Sequence, residues 1–92
     1  MRDTMRTLLK LIEECAEVQQ AAIKVMDFGA YSKWPDANSP SNLEHLTLEL
    51  GDLLAIIEVL RNETTLDIDP DKLNVAKANK MKKLEIYLPV LS

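Results

Sequence analysis

The sequence predicts an all-α protein: three main helices per chain, completing four-helix-bundle-type cores by oligomerisation. Composition and periodicity predict it. Glycine occurs twice and aromatic residues make up 4% of the 92 residues, whereas strands favour aromatic and β-branched side chains and hairpins favour glycine turns. Leu, Glu, Lys, Ala and Met, the good helix formers, dominate instead. Apolar residues also recur at helical spacing over long stretches. A chain of 10.4 kDa fits a single domain over residues 1–92. So short a chain buries only a marginal core by itself, which favours self-association.

The first helix runs from Asp3 or Thr4 to Phe28. Met5, Leu8, Leu9, Ile12, Cys15, Ala16, Ala22, Ile23 and Met26 mark its apolar positions, and Gly29 is a natural stop. Residues 30–41 form a loop rich in Pro, Ser, Asn and Asp. The second helix begins at Ser39-Pro40, an N-cap followed by proline, or at Ser41 to Glu44, a capping box, and ends near Asn62. Leucine, isoleucine, valine and alanine cover nearly its whole circumference. Three helices of one monomer cannot bury such a surface, so a second chain is expected to cover it. Thr64 to Asp69 is a second loop. Asp69-Pro70 opens the third helix, which ends before Pro89, and the apolar tail 89–92 is expected to pack on a neighbour.

Charge narrows the function classes. Eleven Lys+Arg against 15 Asp+Glu give −4, which argues against a binder of polymeric nucleic acid, whose phosphates call for a basic face. The longest apolar run, Leu53 to Ile57, is five residues, so no membrane partner is expected. Asp3 and Arg6 interrupt the amino terminus, leaving no signal-peptide apolar core. The single Cys15 cannot form an internal disulfide, and the cytoplasm is the expected compartment. Cys15 is expected to face the core as a small hydrophobe.

Two groups of carboxylates do not fit a plain bundle. Glu49 and Asp52, three apart and so on one face, sit inside the apolar second helix. Desolvating a lone carboxylate is costly, so something positive must meet them. The first helix carries Glu13, Glu14 and Glu17, with Lys24 seven positions beyond Glu17 on a similar face. Acid pairs on two neighbouring helices make a four-carboxylate cage of the hard oxygen ligands that Mg²⁺ or Mn²⁺ prefer. Taken singly, each pair is also compatible with a solvated helix surface or a structural ion pair.

Glu13-Glu14-Cys15-Ala16-Glu17 followed by Glu49-Leu50-Gly51-Asp52 resembles the EExxE…ExxD signature of the MazG-like all-α nucleoside triphosphate pyrophosphohydrolases. The resemblance covers roughly residues 8 to 85. It implies a dimeric or tetrameric four-helix bundle that hydrolyses (d)NTPs to the monophosphate and pyrophosphate with Mg²⁺. The 31 residues between Glu17 and Glu49 are somewhat long for the family. Residues 24–29, KVMDFG, are similar to a K-x-x-R-F-G stretch of some relatives, with Asp27 where Arg is common. Relatives often carry K-M-x-x-N-x-x-R in the last helix. Lys80 and Met81 match it, whereas Leu84 and Tyr87 replace the Asn and the Arg.

The reading that follows is a cytoplasmic, Mg²⁺-dependent (Mn²⁺ as alternative) nucleoside triphosphate pyrophosphohydrolase, a homodimer or homotetramer engaged in nucleotide-pool house-cleaning. Glu14, Glu17, Glu49 and Asp52 would hold the metal. Glu13 would orient a ligand or accept the proton of the attacking water. Lys24, Trp34 and Lys80 would bind substrate, Trp34 by stacking on a base and Lys80 at the phosphates, from its own chain or from a partner. Lys77 is a second phosphate candidate. Asn38 and Asn42 either read a base edge or serve as turn residues, and His45 has a supporting or substrate role at most. Three alternatives stay open: a phosphoribosyl-ATP pyrophosphohydrolase, a hydrolase specific for dUTP or dCTP, and a non-enzymatic helical dimer module.

Overall fold

Asp3, Ser41 and Asp69 open the three helices. The computed structural model describes residues 1–88 and 90, with α1 at Thr4–Phe28, α2 at Asn42–Asn62 and α3 at Pro70–Tyr87. The Asp3 carboxylate accepts from the Arg6 N–H at 2.9 Å. Ser41 settles the start of α2, since its hydroxyl accepts from the Glu44 N–H at 3.1 Å. The Asp69 carboxylate accepts from the Asp71 and Lys72 N–H groups, with Pro70 in the first turn. Each cap satisfies donors that the first helical turn leaves free. Gly29 ends α1 at φ +91°, where an L side chain is strained, and its N–H donates to the Val25 carbonyl at 2.9 Å.

Hydrogen bonds at both ends fold α1 and α2 into an antiparallel hairpin. At one end the Leu43 N–H donates to the Ala30 carbonyl (2.8 Å) and the Asn42 N–H to the Ser32 carbonyl (3.0 Å). The Asn42 side-chain amide also donates to the Gly29 carbonyl at 3.0 Å, so this residue joins the end of α1 to the start of α2. At the other end the Thr4 and Thr65 hydroxyls meet at 2.8 Å and Arg2 pairs with Glu63 at 3.2 Å. No strand forms among the described residues, only an isolated bridge between Lys33 and Ser41 that narrows the neck of the loop.

The inward positions alternate three and four apart. On α1 they include Thr7, Leu11, Glu14, Val18, Ala21 and Val25; on α2, Leu46, Glu49, Leu53, Ile56 and Leu60. This is the seam pattern of two supercoiled helices. It corrects the sequence reading of α1, because Met5, Leu9, Ile12, Ile23 and Met26 are exposed instead. Cys15, expected in the core, is exposed as well. The reason is that α1 carries two apolar stripes and the chain supplies one helix to cover them. α2 packs on the first stripe, and α3 packs on neither α1 nor α2.

The molecule is consequently flat and extended, 44 × 36 × 14 Å. Its radius of gyration is 16.4 Å, against about 12 Å for a globule of this length. Leu43, Leu48, Leu50 and Leu54 of α2 remain exposed, and residues 71–83 of α3 are exposed throughout. Of the tail expected to pack on a neighbour, Val90 is exposed, and residues 89, 91 and 92 lie outside the described residues. No described helix is long and apolar enough to cross a membrane.

Candidate carboxylate centre

Half-way along the hairpin, where the seam pattern calls for leucine or valine, stand Glu14 on α1 and Glu49 on α2. Glu17, one turn from Glu14, joins them. One oxygen from each of the three carboxylates lies within 4.8 Å of the other two. Glu49 is largely enclosed, with its side chain 14% exposed. The Oε2 atoms of Glu14 and Glu49 are buried and have no hydrogen-bond partner among the described residues. Polar atoms in such a position are ordinarily satisfied.

The electrostatics follow from this crowding. Burial, then the neighbouring charges of Glu17, Asp52 and Glu49, push the Glu14 carboxyl above the usual carboxylate range. Glu49 is pushed up first by a hydrogen bond shared with Glu17, then by burial and by the charges of Glu17 and Asp52. Asp52 therefore stands near enough to act on both, although it lies outside the close trio. The His45 ring offsets part of this push on Glu49, with its Nε2 3.2 Å from Glu49 Oε1. A divalent cation would satisfy the orphaned oxygens and the crowded charge together, so the donor set present fits such an ion.

Glu13 is turned elsewhere. It pairs with Lys10 at 3.1 Å, and this hydrogen bond, then its charge with those of Glu14 and Glu17, raises the Lys10 pKa.

Beside the carboxylates, toward the loop, lies a cleft of about 530 Å³ lined by Lys24, Phe28, Lys33, Trp34, Asn42 and His45, among others. Lys24 and Trp34, far apart in sequence and both expected to bind substrate, come together here. Trp34 is 84% exposed, with its ring available to a ligand. His45 belongs both to this cleft and to the carboxylate cluster. Sequence reasoning undervalued it and missed Phe28 and Lys33. Spacing was the available signal, because His45 precedes Glu49 by one turn and Phe28 follows Lys24 by one turn. Lys80 is not part of this assembly within one chain, since α3 packs on neither helix of the hairpin. Asn42 is engaged as a helix cap through Gly29 and Asn38 in a turn with Asp36.

No family model, curated protein or solved structure matches the chain.

Proposed function

We propose that the chain is a divalent-metal-dependent nucleoside triphosphate pyrophosphohydrolase of the MazG-like kind, acting as a homo-oligomer on unwanted nucleotides. The observation that carries this reading is the mid-seam carboxylate trio with two orphaned oxygens, adjoined by a cleft with an exposed tryptophan and two lysines. Glu14, Glu17, Glu49 and Asp52 hold Mg²⁺. When bound, the ion supplies charge neutralisation and Lewis acidity at the phosphates.

The residues of the chain do the rest. Trp34 and Phe28 offer faces to a nucleobase, and Lys24 and Lys33 offer positive charge beside it. Water attacks the α-phosphorus. The bond from that phosphorus to the oxygen bridging to the β-phosphate breaks, and pyrophosphate leaves with the bond's electron pair. A proton of the water passes to a carboxylate of the trio, since Glu13 is engaged with Lys10. Lys80 reaches the phosphates from a second copy.

Self-association has support of its own. The chain exposes 7731 Å², whereas a folded monomer of 10.4 kDa exposes about 5,400 Å². The excess is apolar in part, as Leu50, Leu54, Ile12 and Met26 illustrate.

The test is hydrolysis of an NTP and dNTP panel with Mg²⁺, with and without EDTA, resolving pyrophosphate from orthophosphate. Metal-dependent pyrophosphate and monophosphate are expected. Orthophosphate as the product, or no turnover of any nucleotide by folded protein, would refute the reading.

A further inference from the structure

The hairpin groove extends past the carboxylates on the side opposite the tryptophan cleft, and its chemistry there is different. Two rows with a seven-residue repeat define the groove. On α1 the row is Lys10, Glu17 and Lys24; on α2 it is His45, Asp52 and Val59. Seven residues are close to two full turns, so each row stays on one side of its helix. The helices run antiparallel, so Lys24 meets His45 at one end, where both line the tryptophan cleft. Glu17 and Asp52 both act on Glu49 in the middle. Lys10 meets Val59 at the other end, where a second cavity of about 420 Å³ opens.

Arg2, Arg6 and Lys10 line that second cavity together with Asp3 and Thr7, above an apolar floor of Ile56 and Val59. Arg6 and Lys10, one turn apart on α1, form a short positive stripe beside the cap residue Asp3 on a chain of net charge −4. Arg2 is held by Glu63 and Lys10 by Glu13, whereas Arg6 has no ion pair among the described residues. Lys10 lies one turn from Glu14, about 6 Å of axial rise, and Arg6 one turn further. The groove thus reads, in order, aromatic cleft, carboxylates and cationic stripe.

We infer that Arg6 and Lys10 form the binding site for the β- and γ-phosphates, so that the nucleotide lies along α1 with its base at Trp34 and its pyrophosphate end at the amino-terminal turns. The inference rests on the function proposed above and deepens it by fixing the direction of the substrate. The carboxylates cannot bind bare phosphate themselves, so the α-phosphate sits at the metal and the remaining two phosphates must extend to one side. One side offers aromatic rings and the other the Arg6 guanidinium, which has no ion pair among the described residues and shares its cavity with Asp3. Arg6 presents the planar donor fork that pairs with phosphate oxygens. The same site holds pyrophosphate after cleavage, which makes it the site of product inhibition.

The experiment compares binding of inorganic pyrophosphate and of a nucleoside monophosphate, each with Mg²⁺, to the wild type and to Arg6→Ala, Arg6→Lys and Lys80→Ala, with turnover of the parent triphosphate. Arg6→Ala is expected to weaken pyrophosphate binding and raise KM about tenfold or more, while monophosphate affinity stays at the wild-type value. Arg6→Lys is expected to recover part of the loss. Arg6 is exposed, so circular dichroism of the variants should match the wild type. Wild-type turnover with unchanged pyrophosphate affinity in Arg6→Ala, or a loss confined to Lys80→Ala, would overturn the inference and leave the enzyme reading intact. A wild type that cleaves no triphosphate would overturn both.

Discussion

Leu54→Glu tests whether the uncovered face of α2 is an interface between copies. Leu54 is 67% exposed and Leu50 43%, although both lie in a run that a water-facing helix would not carry. The chain exposes 7731 Å², about 2,300 Å² more than a folded monomer of its mass. Two chains that cover this excess bury about 4,600 Å² together, within the class of obligate homodimers. The wild type should therefore sediment at twice 10.4 kDa or more at micromolar concentration. Its helicity and its assembly should be lost together on dilution or in urea. A carboxylate at position 54 would be desolvated on each side of a symmetric interface, and several kcal/mol per ion weakens association by roughly a thousandfold or more. Sedimentation equilibrium with circular dichroism reads both quantities. A wild-type monomer that unfolds cooperatively, or a Leu54→Glu protein that assembles as tightly as the wild type, would refute the reasoning.

Three further outcomes follow from the site. Glu49→Gln should abolish both the turnover and the Mg²⁺-dependent rise in Tm that the proposed site predicts for the wild type, because a neutral amide is a poor ligand for a hard cation; full activity would remove Glu49 from the proposed metal site. The Glu14 and Glu49 carboxyls have raised pKa values, so their contribution to stability is complete below the unfolded pKa and is lost as pH rises through the folded values. Thermal melts in EDTA between about pH 4 and 8 should show Tm falling above the usual carboxylate range, and Mg²⁺ should flatten that fall by binding the ionised cluster as proposed. Trp34→Ala should raise KM about tenfold or more by loss of base stacking and leave Tm unchanged, since the ring is 84% exposed; an unchanged KM would remove the base from this cleft.

The helices were legible because their signals are local. Asp3, Gly29 and Asp69 set the boundaries, and the structure places them at the ends of α1 and the start of α3. Ser39 and Ser41 were both locally plausible caps, and the structure takes Ser41, whose hydroxyl accepts from the Glu44 N–H while Asn42 reaches back to Gly29 across the loop. The acid spacing identified Glu14, Glu17 and Glu49, which the fold brings within 4.8 Å. What periodicity could not decide was which of two apolar stripes on α1 packs within the chain. Leu9 and Ile12 are more hydrophobic than Thr7 and Ala21, yet the smaller residues are buried and the larger exposed. Small side chains let two helices approach closely, while large ones supply the greater apolar area to a surface left for another partner. A helix wheel records hydrophobicity and not the size a given neighbour can accept. The sequence reading assigns Glu14 to the metal and Glu13 to orienting a ligand or accepting a proton, but periodicity does not say which of the two enters the seam. Only the register of α2 turns one into the seam and leaves the other to Lys10.

Glu14 and Glu49 interrupt an otherwise regular seam, and this conflict between stability and site can be tested. Leu11 and Val18 flank Glu14, and Leu53 and Ile56 follow Glu49, all turned inward. Two leucines at these positions would continue the packed stripe, remove two buried oxygens that have no hydrogen-bond partner among the described residues and remove two carboxyls held above the usual range, Glu14 by burial and Glu49 by its hydrogen bond with Glu17. Breaking a partnered buried charge destabilises, but replacing uncompensated carboxylates with apolar groups is neutral or stabilising. The double variant Glu14→Leu/Glu49→Leu should therefore unfold at higher urea than the metal-free wild type, with an unchanged m-value and no response to Mg²⁺. If the carboxylates served the fold instead, through the His45 contact at 3.2 Å, the same variant would unfold at lower urea, and the seam acids would have to be read as structural.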